Sequence, residues 1–281
     1  MSWPSRECKN WNEFNELIEP VTNYPPSGFG TIFRGQACCD WPLKHSLARK
    51  LFPSMDETWR VHIEKEATQK FQQHGHLLIG PASLPEPDDL LAWWAVMQHH
   101  GAPTRLLDWT KSPFVALYFA VVEQPDTDGA VWMVNFGALM EAMEDTPGYK
   151  EQIKCSKHSE YFQAIGVPPF LTPLDFSQQN QRMIAQQGLF TICRNIMGNH
   201  STIIDETFKR SGALYDGAYT QLIIPKAKKL EMLRKLELFN ITSSSLFPGI
   251  DGLGRSIGEL VMMESWYHGT VSGWDSEQGE E

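Results

Sequence analysis

The apolar positions of this chain change their period from one segment to the next. Trp11, Phe14, Leu17 and Ile18 recur at helical spacing and predict a short amphipathic helix over residues 8–20. Pro25, Pro26 and Gly28 break that pattern, and the alternation in GTIFRGQ, residues 30–36, predicts a strand. Residues 55–76 read as a long helix with polar residues on most faces. A proline-rich loop then leads to a second helix over residues 90–99, with Gly101 placed to cap it. TRLLDW predicts a short strand, and KSPFVALYFAVVEQ a helix started by Ser112 as N-cap and Pro113 in the first helical position. Residues 129–139 predict a buried strand, and residues 181–192 a strand region with a glycine inside it. The segment YTQLIIPKAKKLEMLRKLEL predicts a strand followed by a proline-started helix. Strands and helices mixed without strict alternation predict an α+β fold. With 281 residues, no repeat and no low-complexity linker, one domain with helical additions is expected.

Composition narrows the class. Hydrophobic content of 42% and charged content of 21% belong to a soluble globular protein. A formal charge of −10 excludes a uniformly basic surface but leaves room for a local basic groove. Five cysteines, an odd number with no C-x-x-C, suggest neither a disulfide framework nor a zinc ribbon. The first residues lack an apolar signal region, and the longest apolar run, Phe114 to Val122, is too short to span a bilayer. The expectation is a cytoplasmic protein with no membrane partner.

The chemistry concentrates in Gly101–Ala120, where Arg105, Asp108, Thr110 and Ser112 interrupt an apolar segment. Strand alternation puts Arg105 and Leu107 on one face, and Leu106 and Asp108 on the other. Thr110 falls on the strand-to-helix turn, and helix starts favour anions, so this set is expected to form one wall of a ligand pocket. Trp109 offers a flat apolar wall. His99 and His100 have no acidic or cysteine partner at ligand spacing, so no metal is expected; one of them, His100 in the expected site, donates to a ligand oxygen or caps its helix. Arg34 carries a rigid fork of donors suited to phosphate or ribose oxygens, and Gly35 beside it admits close approach of a ligand. Lys226, Lys228, Lys229, Arg234 and Lys235 make either a solvated helix face or a patch for RNA, DNA or an acidic partner.

FRGQ (Phe33–Gln36), HHGAPTRLLDWTKSPFVALYFA (His99–Ala120), QRMIAQQGLFTI and SLFPGIDGL (Ser245–Leu253) together resemble the FRG domain. The resemblance runs over roughly residues 31–253, with residues 254–281 as a C-terminal extension. The order of the motifs also resembles ADP-ribosyltransferases of the Arg–Ser–Glu type. These carry an arginine on the first core strand, a Ser/Thr strand leading into an A-x-x-F-A helix, and a glutamate on a later strand. That second resemblance implies a mainly antiparallel sheet core of the ADP-ribosyltransferase type, NAD as the substrate and transfer of ADP-ribose to a nucleic acid or a protein. It further implies a toxin of a toxin–antitoxin or phage-defence system, with an antitoxin as inhibitory partner. The residues implied for catalysis are Arg34, Asp108, Thr110 and Gln187. Those implied for holding NAD are Arg34, Gly35, His100, Arg105, Trp109, Ser112 and Gln186.

The chain departs from the transferase pattern at AQQGLF, where Gln186 and Gln187 stand in place of the glutamate. Cleavage of the glycosidic bond of NAD builds positive charge on the ribose, which a glutamine does not neutralise. Asp108 is the expected source of the missing carboxylate, and Glu264 lies beyond the resemblance. An NAD or nucleotide hydrolase, and a non-enzymatic module binding a nucleotide or nucleic acid, are the alternative readings.

Overall fold

The computed structural model describes residues 3–22, 30–80, 84–144, 146, 149–150, 159–174, 181–212 and 217–275. Its centre is one mixed sheet. The strands are β1 (Ser5–Glu7), β2 (Thr31–Gln36), β3 (Leu106–Thr110), β4 (Gly129–Asn135), β5 (Leu171–Leu174), β6 (Gly188–Cys193) and β7 (Tyr219–Ile224). Their order is β1-β7-β4-β2-β3-β6-β5, and every pairing is antiparallel except β1 with β7.

Helices cover both faces. On one face Ile32, Trp132 and Val134 pack with Leu139 of α6 (Phe136–Glu144) and Ile204 of α9 (His200–Ser211). On the other, Phe33, Val131, Met133 and Leu222 pack against α1 (Trp11–Thr22), α5 (Pro113–Val121) and α10 (Lys226–Leu238). Neighbouring positions on β2 and β4 thus serve opposite cores, as strand alternation requires. The sheet's far side, with Leu106, Phe190 and Ile192, carries a third core against Trp94 and Met97 of α4 (Leu90–His99). The remaining helices are α2 (Ser46–Lys50), α3 (Glu57–Leu78), α7 (Ser159–Gln163), α8 (Gln181–Ala185), α11 (Ser243–Leu246) and α12 (Ile250–Asp275). Among the described residues no helix is long and apolar enough to cross a membrane.

Helix α5 explains its own composition. The Ser112 hydroxyl accepts from the Val115 amide and Pro113 opens the first turn. The helix lies so close to the sheet that a Cβ on Gly35 would stand 1.8 Å from the Ala116 carbonyl oxygen, and one on Gly129 2.2 Å from that of Ala120. Nearly every side chain of α5 is therefore buried, each large one contributing roughly 1.5–3 kcal/mol. Gly35 is required by this helix, and it also lines a cleft between β2 and β3.

Two segments differ from the sequence expectation. The strand expected over 129–139 stops at Asn135, whose side-chain oxygen accepts from the Ala138 amide and starts α6. The strand expected over 181–192 is a helix followed by a strand. Helix α8 ends at Ala185, Gln187 takes a left-handed φ of 46°, and β6 begins at Gly188. The N-terminal helix runs over Trp11–Thr22 rather than 8–20, and the C-terminal segment beyond residue 254 continues a helix begun at Ile250.

Candidate functional site

Strand β2 pairs with β4 along its whole length, from Thr31–Asn135 to Gln36–Ala130. With β3 it pairs only at Phe33–Thr110. The two central strands then diverge, and the Arg34 guanidinium fills the gap, Nη1 donating to the Asp108 carbonyl at 2.6 Å. A cleft of about 540 Å³ opens here, walled by Arg34, Asp108, Thr110, Phe119, Arg182 and Gln186. A second hollow of about 410 Å³, lined by Gln98, His99 and Phe190, shares Asp108, Trp109, Arg182 and Gln186 with it.

The electrostatics centre on Asp108. Its carboxylate lies 3.6 Å from Arg34 and accepts from the Gln98 side-chain amide at 2.6 Å. The Gln98 carbonyl in turn accepts from the Thr104 hydroxyl, which fixes the amide's orientation. The Asp108 side chain remains 59% exposed, so the carboxylate is aimed and still open to a ligand. Burial works against the charge of Arg34 and pushes its pKa down, while Asp108 supports that charge. The Arg34 Nε is buried with no hydrogen-bond partner. Arg182 faces the same cleft, is likewise lowered by burial, and has no ion pair among the described residues.

The other expected site residues fall in different places. Thr110 lines the cleft, but its hydroxyl donates to the Gln186 carbonyl at 2.7 Å and accepts from the Ser112 amide at 3.0 Å. Ser112 is a helix cap and does not line either hollow. Trp109 edges both hollows, yet its ring belongs to the core and its Nε1 donates to the Thr191 hydroxyl. Gln186 lines the cleft and donates to the Leu246 carbonyl. Gln187 is exposed and lines neither hollow. His100 is an exposed helix end; its neighbour His99 is the histidine that reaches the site.

Arg105 stands apart from the cleft. It is 1% exposed, bonds both oxygens of Glu64 on α3, donates to the Arg194 carbonyl and lies 5.1 Å from the centre of the Trp94 ring. Of the five basic residues of α10, Lys226 is exposed and the other four have partners within the protein. The Lys229 ammonium is buried against the carbonyls of Ala37, Glu123 and Gln124 at 2.7–2.9 Å. Lys228 and Lys235 both pair with Glu231, and Arg234 lies over the Tyr267 ring. Glu264 is on the exposed part of α12 beside His268. Among the described residues no group of three His, Cys, Asp or Glu comes together as a metal site.

Sequence reasoning missed Gln98, His99 and Arg182 as lining residues. Arg182 stands inside the quoted QRMIAQQGLF segment, but a strand reading hid the helical turn that brings it over the cleft with Gln186. Gln98 precedes the double histidine and carried no signal of its own.

Residues 30–129 match the FRG domain. The matched stretch contains β2, α4, β3 and α5, and with them Arg34, Gln98, His99, Asp108 and Thr110. Arg182, Gln186 and the Ser245–Leu253 segment lie outside it, a shorter span than residues 31–253. No curated protein and no solved structure matches the chain.

Proposed function

We propose that the cleft between β2 and β3 binds NAD and that the protein transfers ADP-ribose from it to a macromolecule. The observation that carries this reading is the Asp108 carboxylate, exposed in the cleft while held by Arg34 and Gln98. Arg34 and Arg182 bring two guanidiniums to one cleft of an acidic chain, which suits a diphosphate. In the reaction the bond from the ribose C1′ to the nicotinamide nitrogen breaks, and its electron pair leaves with neutral nicotinamide. The cationic C1′ is stabilised by Asp108, in place of the glutamate absent at Gln186–Gln187, and is captured by the acceptor nucleophile, whose proton is released. The sheet order supports an ADP-ribosyltransferase-type core, because β2, β3 and β6 lie side by side, the first two carrying the first two motifs and the third motif leading into β6. A toxin role with an antitoxin partner belongs to the same proposal.

The Thr110 hydroxyl favours a second reading. Its proton and one of its two lone pairs are engaged by the protein, as suits a binding module without chemistry. The test is to incubate the protein with NAD and follow nicotinamide release, alongside thermal shift. Release that Asp108→Asn abolishes supports the enzyme. A thermal shift without release supports the module, and no shift removes NAD altogether. Release with no label passed to RNA, DNA or protein indicates a hydrolase.

A further inference from the structure

Beside the cleft, two arginines are held on one aromatic ring. The guanidinium carbon of Arg182 lies 4.7 Å from the centre of the Phe247 ring, and that of Arg255 lies 4.5 Å from it. Neither has a carboxylate within ion-pairing distance among the described residues. The expected partner for Arg255 is Glu259, one helical turn further along α12. Glu259 instead accepts from the hydroxyls of Tyr118 and Ser243.

The segment is built to hold this arrangement. A Cβ on Gly252 would lie 1.8 Å from the Phe247 carbonyl oxygen, so the start of α12 rests directly on the backbone that carries the ring. Gln186 donates to the Leu246 carbonyl at 3.0 Å, tying α8 to the same turn. Phe247 meets Phe119 of the cleft wall edge-on at 6.1 Å. Burial lowers the pKa of Arg182; Asp108 across the cleft supports its charge, and Arg255 opposes it to a smaller extent, as two like charges against one ring must. A polyanion relieves that repulsion. The SLFPGIDGL segment, which the cleft alone does not use, is the frame of this pair.

We propose that Arg182 and Arg255 form a phosphate-binding subsite at the edge of the cleft and that it receives the backbone of a single-stranded nucleic acid, the acceptor of the transfer reaction. Guanidinium forks match phosphate oxygens in pairs. Arg182 also lines the cleft and is shared with the donor, whereas Arg255 lines neither hollow and is open to a second molecule. The role of acceptor rests on the NAD reading; phosphate binding at Arg255 does not.

Fluorescence anisotropy with labelled single-stranded RNA and DNA oligonucleotides, over a series of salt concentrations, tests it. Arg255→Glu is expected to weaken binding at least tenfold and Arg255→Gln less. Each is expected to lower the slope of log affinity against log salt by about one, the loss of one phosphate contact. Charge reversal at Lys226 and Lys228 is expected to change little, and melting temperatures serve to show that the variants fold. Nicotinamide release into water is expected to be unchanged in Arg255→Glu, while labelled ADP-ribose no longer reaches the oligonucleotide. Oligonucleotide binding equal in wild type and Arg255→Glu overturns the proposal, as does label confined to protein. NAD affinity that falls with the Arg255 charge overturns it too, by assigning the phosphate to the donor. Oligonucleotide binding lost in Arg255→Glu, with no NAD consumed by the wild type, keeps the phosphate subsite and removes the transferase reading.

Discussion

Arg34 and Asp108, on neighbouring strands and 74 residues apart in the chain, are joined twice: Arg34 donates to the Asp108 carbonyl at 2.6 Å and its guanidinium lies 3.6 Å from the Asp108 carboxylate. The first contact stands in for ladder hydrogen bonds that β2 and β3 do not make beyond Phe33–Thr110. The second links the cation and the anion of the proposed chemistry. The fork is what allows both.

A lysine at position 34 keeps the charge and loses the fork. Arg34→Lys is therefore expected to reduce NAD affinity or turnover by about 2–3 kcal/mol, on the order of a hundredfold in the binding constant. Isothermal titration with NAD and a nicotinamide-release assay measure it. A variant that melts early but retains full specific activity would assign Arg34 to the scaffold alone.

Much of this architecture is legible from local chemistry. Ser112 and Pro113 announce α5, Gly101 with φ +81° ends α4 as its position suggests, and the alternation around Ile32 and Phe33 marks β2. The residues that sequence placed differently depend on partners far along the chain. Arg105 reads as a site arginine until Glu64, 41 residues upstream on another helix, neutralises it. Gly35 reads as room for a ligand and does line the cleft, but the close approach it admits is that of α5. Lys229 reads as surface charge until three carbonyls from two loops surround it. Burial decides each case, and the local pattern carries no measure of burial for a charged side chain.

The buried histidines give the fold an acid limit. His45 and His200 lie with their rings 6.4 Å apart, and burial depresses the pKa of each to about 3. His45 Nδ1 accepts from the Ala48 amide, a bond that requires the nitrogen unprotonated. In the unfolded chain both titrate near 6.5. Between pH 6.5 and 3 the unfolded state therefore binds more protons, and stability falls as pH falls, by roughly 1.4 kcal/mol per histidine per pH unit. The Glu64 carboxyl, raised by burial against the pull of Arg105, acts in the opposite direction but as one group against two. Urea unfolding at pH 7, 6 and 5 is expected to show a steady loss of stability, with a smaller slope in His200→Phe. A flat profile over that range would show that the histidines are solvated or charged in the native protein.

The Arg105–Glu64 pair separates scaffold from site. Both side chains are almost fully buried, and the carboxylate is held by Arg105 Nε and Nη2. Removing one partner leaves an uncompensated charge in the interior, so Arg105→Met and Glu64→Gln are each expected to cost about 3–5 kcal/mol. Replacing both with apolar residues, as in Arg105→Met with Glu64→Leu, removes the charge along with its partner and recovers most of that loss. Recovery is incomplete, because the Arg194 carbonyl loses the donor it has at 2.9 Å. NAD binding is expected to survive in the double variant at temperatures where it is folded, since Arg105 lines neither hollow. Thermal melts of the four proteins, followed by NAD titration of the folded ones, make the comparison. A well-folded double variant that no longer binds NAD would return Arg105 to the site, through a rearrangement of β3 that carries its side chain toward Asp108.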